Sequence, residues 1–167
     1  MPASDNTSGS SLPVNSSLRD RVWRYGPLVV WMLVIFAGST NALSASRSGL
    51  LLRPVVLWLF PNITEGSLAT VHFLFRKACH FSEYAILALL AARAFYGSTR
   101  SAVREKWFVA SLGLVVVYAF SDEFHQSFEA SRTASVYDSF IDIAGGLTTL
   151  LVIAWWRRRR QKSESSW

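Results

Sequence analysis

The sequence predicts an all-α fold: a four-span transmembrane helix bundle with a short interfacial or re-entrant helix between spans one and two. Three observations point there. About half of the 167 residues are hydrophobic, and they come in long blocks rather than in alternation. A bilayer core admits only helices or closed barrels, and the short alternating strands of a barrel are not present in the sequence. The basic residues, finally, gather beside the apolar blocks, where they act as topology signals. A net charge of +6 arranged in this way argues against a nucleic-acid partner, which would need a basic face or stripe.

Taken in order, residues 1–18 are rich in Ser, Asn and Pro without an apolar period, so a disordered tail is expected. Arg19, Arg21 and Arg24 then precede the first apolar block, Tyr25 to Thr40. This flank, with small residues around Ala42–Ala45, also fits a secretory signal peptide. Orientation is the same under either description. Leu50–Phe60 is apolar but interrupted by Arg53 and Pro54 and stopped by Pro61. Eleven residues of helix rise about 16 Å, too short for a core of about 30 Å, which makes this the interfacial or re-entrant piece.

The second span is expected from Val71 to Tyr96. Its first half carries Arg76, Lys77, His80 and Glu83, and its second half, Tyr84–Ala92, reads as apolar. Gly97–Lys106 forms a basic turn. The third span runs from Trp107 to Phe120 and the fourth from Val136 to Trp156, followed by Arg157–Arg160 and Lys162. Trp23, Trp107, Trp155 and Trp156 suit interfacial belts. The single cysteine, Cys79, has no internal disulfide partner and no zinc-type spacing.

Twelve basic residues fall on the side of the termini and the 93–106 turn, and five on the other. The positive-inside rule then places both termini in the cytoplasm of a cell (inner) membrane protein. It also turns the polar constellation outward. Arg76, His80 and Glu83 share one helical stripe, as do Asp122, His125 and Gln126 if helix continues past Phe120, and Ser135, Asp138, Asp142 and Gly145. A charged group at the bilayer centre costs about 2.5–3.5 kcal/mol on insertion scales, so the three stripes are expected to converge.

Three chemistries fit. His80, Glu83, His125 and Asp138 have the donors of a metal site. Arg76, Lys77 and Arg132 suit a phosphate-bearing lipid, with His125 as nucleophile or general base oriented by Asp122, and with Glu123 beside them. The third is a buried ion-pair network that only fixes helix register. It would join Arg76 or Lys77 to Asp122 or Glu123, and Arg132 to Asp138 or Asp142.

The motifs themselves are distinctive. Arg76-Lys77-Ala78-Cys79-His80-Phe81-Ser82-Glu83-Tyr84-Ala85-Ile86-Leu87 reads RKxxHFxEYAxL. It is followed by SDEFHQ at Ser121–Gln126, then Arg132, then DxxxDxxGG at Asp138, Asp142, Gly145 and Gly146. Together they resemble the VanZ-like family of small bacterial integral membrane proteins over about residues 24–156. The family's usual Pro-Gly pair before the arginine is replaced here by Glu129-Ala130-Ser131. The resemblance implies four spans, retention of the first of them, and a VanZ-like membrane domain over 19–160 with a cytoplasmic tail at 161–167. It also implies a cell-envelope role linked to glycopeptide-antibiotic resistance, with membrane lipids and a lipid-linked envelope precursor as expected partners. Ser131-Arg132 with Asp138 and Asp142 partly parallels the SR-x5-H-x3-D ending of membrane phosphatidic-acid-type phosphatases. Asp138 stands where their catalytic histidine would be and their upstream elements are missing, so that chemistry does not carry over.

Overall fold

The computed structural model describes residues 18–39, 45–127 and 136–164. Every element in them is helical: α1 (Leu18–Ser39), α2 (Ala45–Leu59), α3 (Glu65–Tyr96), α4 (Ser101–Glu105), α5 (Trp107–Gln126) and α6 (Val136–Glu164). The expected disorder of the first 18 residues lies outside the described chain, apart from Leu18, which opens α1. Helix α6 runs past the domain boundary expected at residue 160.

Local chemistry sets the helix ends. Thr64 caps α3, its hydroxyl accepting from the Ser67 amide at 3.2 Å, with Glu65 in the first turn to complement the dipole. The helix therefore starts six residues before the expected Val71. It stops at Gly97, whose amide returns to the Arg93 and Phe95 carbonyls. Pro27 lies inside α1, and a proline cannot donate to the carbonyl four residues back. That carbonyl, of Trp23, accepts instead from Arg93 Nη2 at 3.2 Å.

Long-range contacts fix the helix directions. Trp23 and Tyr25 meet Arg93 and Ser98, so α1 and α3 are antiparallel. The Tyr118 hydroxyl donates to the Met32 carbonyl, and Gln126 to Ser39, so α1 and α5 run parallel. Lys77 pairs with Asp138, His80 with Asp142, and Arg157 lies over Tyr96, so α3 and α6 run parallel along most of their length. Helix α3 touches all five other helices, whereas α2 touches α3 alone among the described residues.

The core is narrow and built of small residues. Tyr84, Leu87, Ala88, Ala91, Ala94, Val115, Ala119 and Leu150 are fully buried. Many large apolar side chains face outward instead, among them Leu33, Phe36, Leu89, Val109, Val117 and Leu151. A surface of this kind suits lipid, because hydrocarbon supplies no hydrophobic drive for helices to hide such side chains. Three helices are long and apolar enough to cross a membrane: α1, α5 and α6. The charges in the first half of α3 leave it out of that set.

Candidate functional site

At one end of the bundle, the C-terminal ends of α1 and α5 meet the N-terminal halves of α3 and α6. The polar cluster is built there. Asp138 in the first turn of α6 is buried and sits against two cations from α3. Lys77 Nζ is in direct contact with its Oδ1, and Arg76 Nη2 lies 3.7 Å from its Oδ2. One helical turn further in, His80 Nδ1 lies 3.3 Å from Asp142 Oδ1. Neither atom has an aligned hydrogen bond, so the two are close with their directional bonding unmade, and they form an ion pair only when the imidazole is protonated. On α5, Asp122 Oδ2 accepts from Gln126 Nε2 at 2.8 Å, and the same amide lies 3.3 Å from Ser39 Oγ of α1.

These groups share one electrostatic neighbourhood. Asp122 and Asp138 act on Asp142, and Asp122 and Asp142 act on the phenol of Tyr84. Tyr84 is fully buried and its hydroxyl has no hydrogen-bond partner; the same holds for Asp122 Oδ1 and Asp142 Oδ1. Leaving a buried polar atom unpaired costs about 1–3 kcal/mol. Each of these atoms is either held unpaired by the surrounding packing or completed by something that enters.

Helix packing brings the two catch-points of α3 and α6 to the same level. Gly145 makes it possible: a Cβ there would run into the Phe81 carbonyl oxygen, so the backbones approach as only glycine permits. On the other side of α6, a Cβ at Gly146 would stand 2.6 Å from Val115 Cγ1 of α5.

Of the residues singled out from the sequence, Arg76, Lys77, His80, Asp122, Gln126, Asp138 and Asp142 come together at this end. Arg132 lies outside the described residues. Glu83 is half-buried one turn further along α3, and its backbone carbonyl accepts from Trp31 Nε1 at 2.9 Å. Glu123 is half-buried beside Asp122 on α5. His125 turns elsewhere. It sits about 100° round the helix from Gln126 and packs its ring on Phe36 of α1, centroids 4.6 Å apart. Its Nδ1 has no hydrogen-bond partner, and Asp122 is engaged by Gln126 rather than by the imidazole.

The metal set imagined from His80, Glu83, His125 and Asp138 is not assembled. No three His, Cys, Asp or Glu side chains come into metal-holding geometry among the described residues. Two participants went unread in the sequence. Tyr84 counted as the start of an apolar stretch, although it lies four residues after His80 on the same stripe. Ser39 sits at the very end of the first span and gave no signal.

A family model, VanZ/LLP1, matches residues 25–157. The chain belongs to the VanZ/LLP1 family. No curated protein and no solved structure matches it. The match runs from the second turn of α1 to Arg157 within α6, so every residue of the polar cluster belongs to the VanZ/LLP1 portion. The family and the apolar helices together make this a membrane protein.

Proposed function

We propose that the protein is a four-span component of the bacterial cell envelope, in the cytoplasmic membrane with both termini inside. Its outward polar cluster binds a phosphate-bearing head group on a membrane lipid or lipid-linked precursor. Helix α3 serves as the fourth span. It is 32 residues long, about 48 Å at 1.5 Å per residue, and it packs at the centre of the three apolar helices with Arg76, Lys77 and His80 turned toward α6. Twelve of the 17 basic residues belong to the side of the termini and the 93–106 turn, which the positive-inside rule assigns to the cytoplasm.

One observation carries the binding role. A single carboxylate, Asp138, is served by two cations, and the half-exposed Arg76 reaches it only at 3.7 Å. Among the described residues its guanidinium fork has no closer carboxylate and is open to an incoming anion, and planar forks suit phosphate. Binding is favoured over turnover because the expected base, His125, packs on Phe36 and takes no orientation from Asp122. A link to glycopeptide tolerance follows if the bound head group belongs to an envelope precursor.

The test compares a prenyl phosphate with the prenol of equal chain length on purified protein in detergent. The phosphate should bind about tenfold more tightly or better, as expected of one charge-assisted contact worth about 1.5–3 kcal/mol. Arg76→Gln should remove the difference. Equal binding of the two lipids would end the proposal. The second reading is a scaffold, in which Lys77–Asp138 and His80–Asp142 are two rungs that hold α3 against α6 and bind nothing.

A further inference from the structure

At the opposite end of the bundle a cavity of about 530 Å³ opens between α3, α5 and α6, within the size range of about 300–1,000 Å³ usual for ligand sites. Toward the middle of the helices its walls are Leu89, Ala92 and Ile153. Toward the helix ends it is lined by Arg93, Arg157 and Arg160. No carboxylate forms an ion pair with any of these three arginines among the described residues.

The arginines are held, but not neutralised. Arg157 lies over the Tyr96 ring at 3.4 Å and within 5.5 Å of the Trp107 centroid, and Arg160 lies over Trp156 at 3.9 Å. A guanidinium stacked on a ring uses its face and keeps its in-plane N–H donors for an oxyanion. Arg93 spends one nitrogen on the Trp23 carbonyl. Three cations on adjoining helices repel one another unless an anion joins them.

We propose that this cavity holds one anionic phospholipid of the leaflet on the basic side, its phosphate on Arg93, Arg157 and Arg160 and an acyl chain along Leu89, Ala92 and Ile153. Charge selects the class. A zwitterionic head group brings a cation, and no carboxylate lines the cavity to receive it. Basic pockets between transmembrane helices commonly take anionic head groups. The bound lipid ties α3 to α6 at the end farthest from the Lys77–Asp138 pair. This site is independent of the head-group cluster at the other end.

The experiment uses the full chain, purified in a mild detergent, with phosphatidylglycerol and phosphatidylcholine of matched chains added in turn. Native mass spectrometry reads the lipid retained, and thermal melting reads its effect. Phosphatidylglycerol should be retained and should raise the melting temperature, and phosphatidylcholine should do neither. Arg93→Gln/Arg160→Gln should weaken phosphatidylglycerol binding about 30-fold, from about 1 kcal/mol for each basic residue near an anionic surface. Arg93→Lys/Arg160→Lys should retain most of it. Leu89→Trp, which fills the cavity and leaves the charge alone, should also block retention. Arg76→Gln, the variant that tests the other end, should retain phosphatidylglycerol like the unaltered chain. Equal retention of the two lipids, or undiminished binding by the glutamine pair or by Leu89→Trp, would overturn the proposal.

Discussion

Gly145 of α6 lies against the carbonyl of Phe81 in α3, with no room between them for a side chain. The obstacle is backbone, which cannot rotate away. Gly145→Ala should therefore force α3 and α6 apart at the level of the polar cluster and destabilise by about 1–3 kcal/mol, the usual cost of overpacking. At Gly146 the nearest atom is a Val115 methyl at 2.6 Å, and Val115→Ala should relieve much of the damage from Gly146→Ala. Gly113→Ala, with nothing within 4 Å, should be neutral or gain up to about 1 kcal/mol from helix propensity. Melting temperatures of the four proteins in one detergent rank them. A Gly145→Ala protein as stable as Gly113→Ala would mean that the close approach is not part of the folded state.

The Lys77–Asp138 contact makes an asymmetric expectation. Removing one partner of a buried ion pair costs about 3–5 kcal/mol. Lys77→Met leaves Asp138 with Arg76 still 3.7 Å away and able to close in. Asp138→Leu instead leaves both cations without a carboxylate partner among the described residues. Asp138→Leu should thus be the more damaging single change, and Lys77→Met/Asp138→Leu should recover part of the loss. Urea or thermal unfolding in detergent reads the order. The reverse order would show that Arg76 does not share the carboxylate.

How much of this was legible in the sequence depends on whether the cause is local. The apolar blocks, the flanking charges and the GG pair could be read because each follows from neighbouring residues. The Thr64 cap is equally local, since Thr64-Glu65 followed by Ser67 is a helix-start signal. The pairing of the cations was not legible. Sequence order sets Arg76 and Lys77 nearer to Asp122 than to Asp138, and only the parallel packing of α3 and α6 puts Asp138 at their level. For His125 the stripe was right but too wide: Asp122 and Gln126 face the bundle, and the imidazole falls on the side of α1.

Membrane topology can be checked with single cysteines in a Cys79→Ala background, because Cys79 is half-buried and would otherwise compete. Asn62 and Ser101 are both exposed, at opposite ends of α3. With the termini inside, Asn62→Cys should react with an impermeant maleimide added to intact cells, and Ser101→Cys should react only after lysis. Labelling of Ser101→Cys on intact cells would reverse the proposed orientation. Labelling of both would remove α3 from the set of spans.

Tyr84 separates a site from a scaffold more cleanly than any charged residue in the cluster. Its ring fills the core at zero exposure, while its hydroxyl is buried with no partner beside Asp122 and Asp142. Phenylalanine keeps the ring and deletes only the orphan, so the change removes a desolvation cost of about 1–3 kcal/mol. Tyr84→Phe should leave the melting temperature unchanged or raise it. If the cluster only fixes packing, function should follow stability, and the variant should behave in cells at least as well as the original chain. If the cluster receives a ligand, the hydroxyl is kept unpaired because the ligand pairs it, and Tyr84→Phe should be stable yet bind prenyl phosphate more weakly, by about fivefold to tenfold for one lost hydrogen bond. Stability that falls with the hydroxyl would mean that it already has a partner within the fold, and the cluster would then be complete without a ligand.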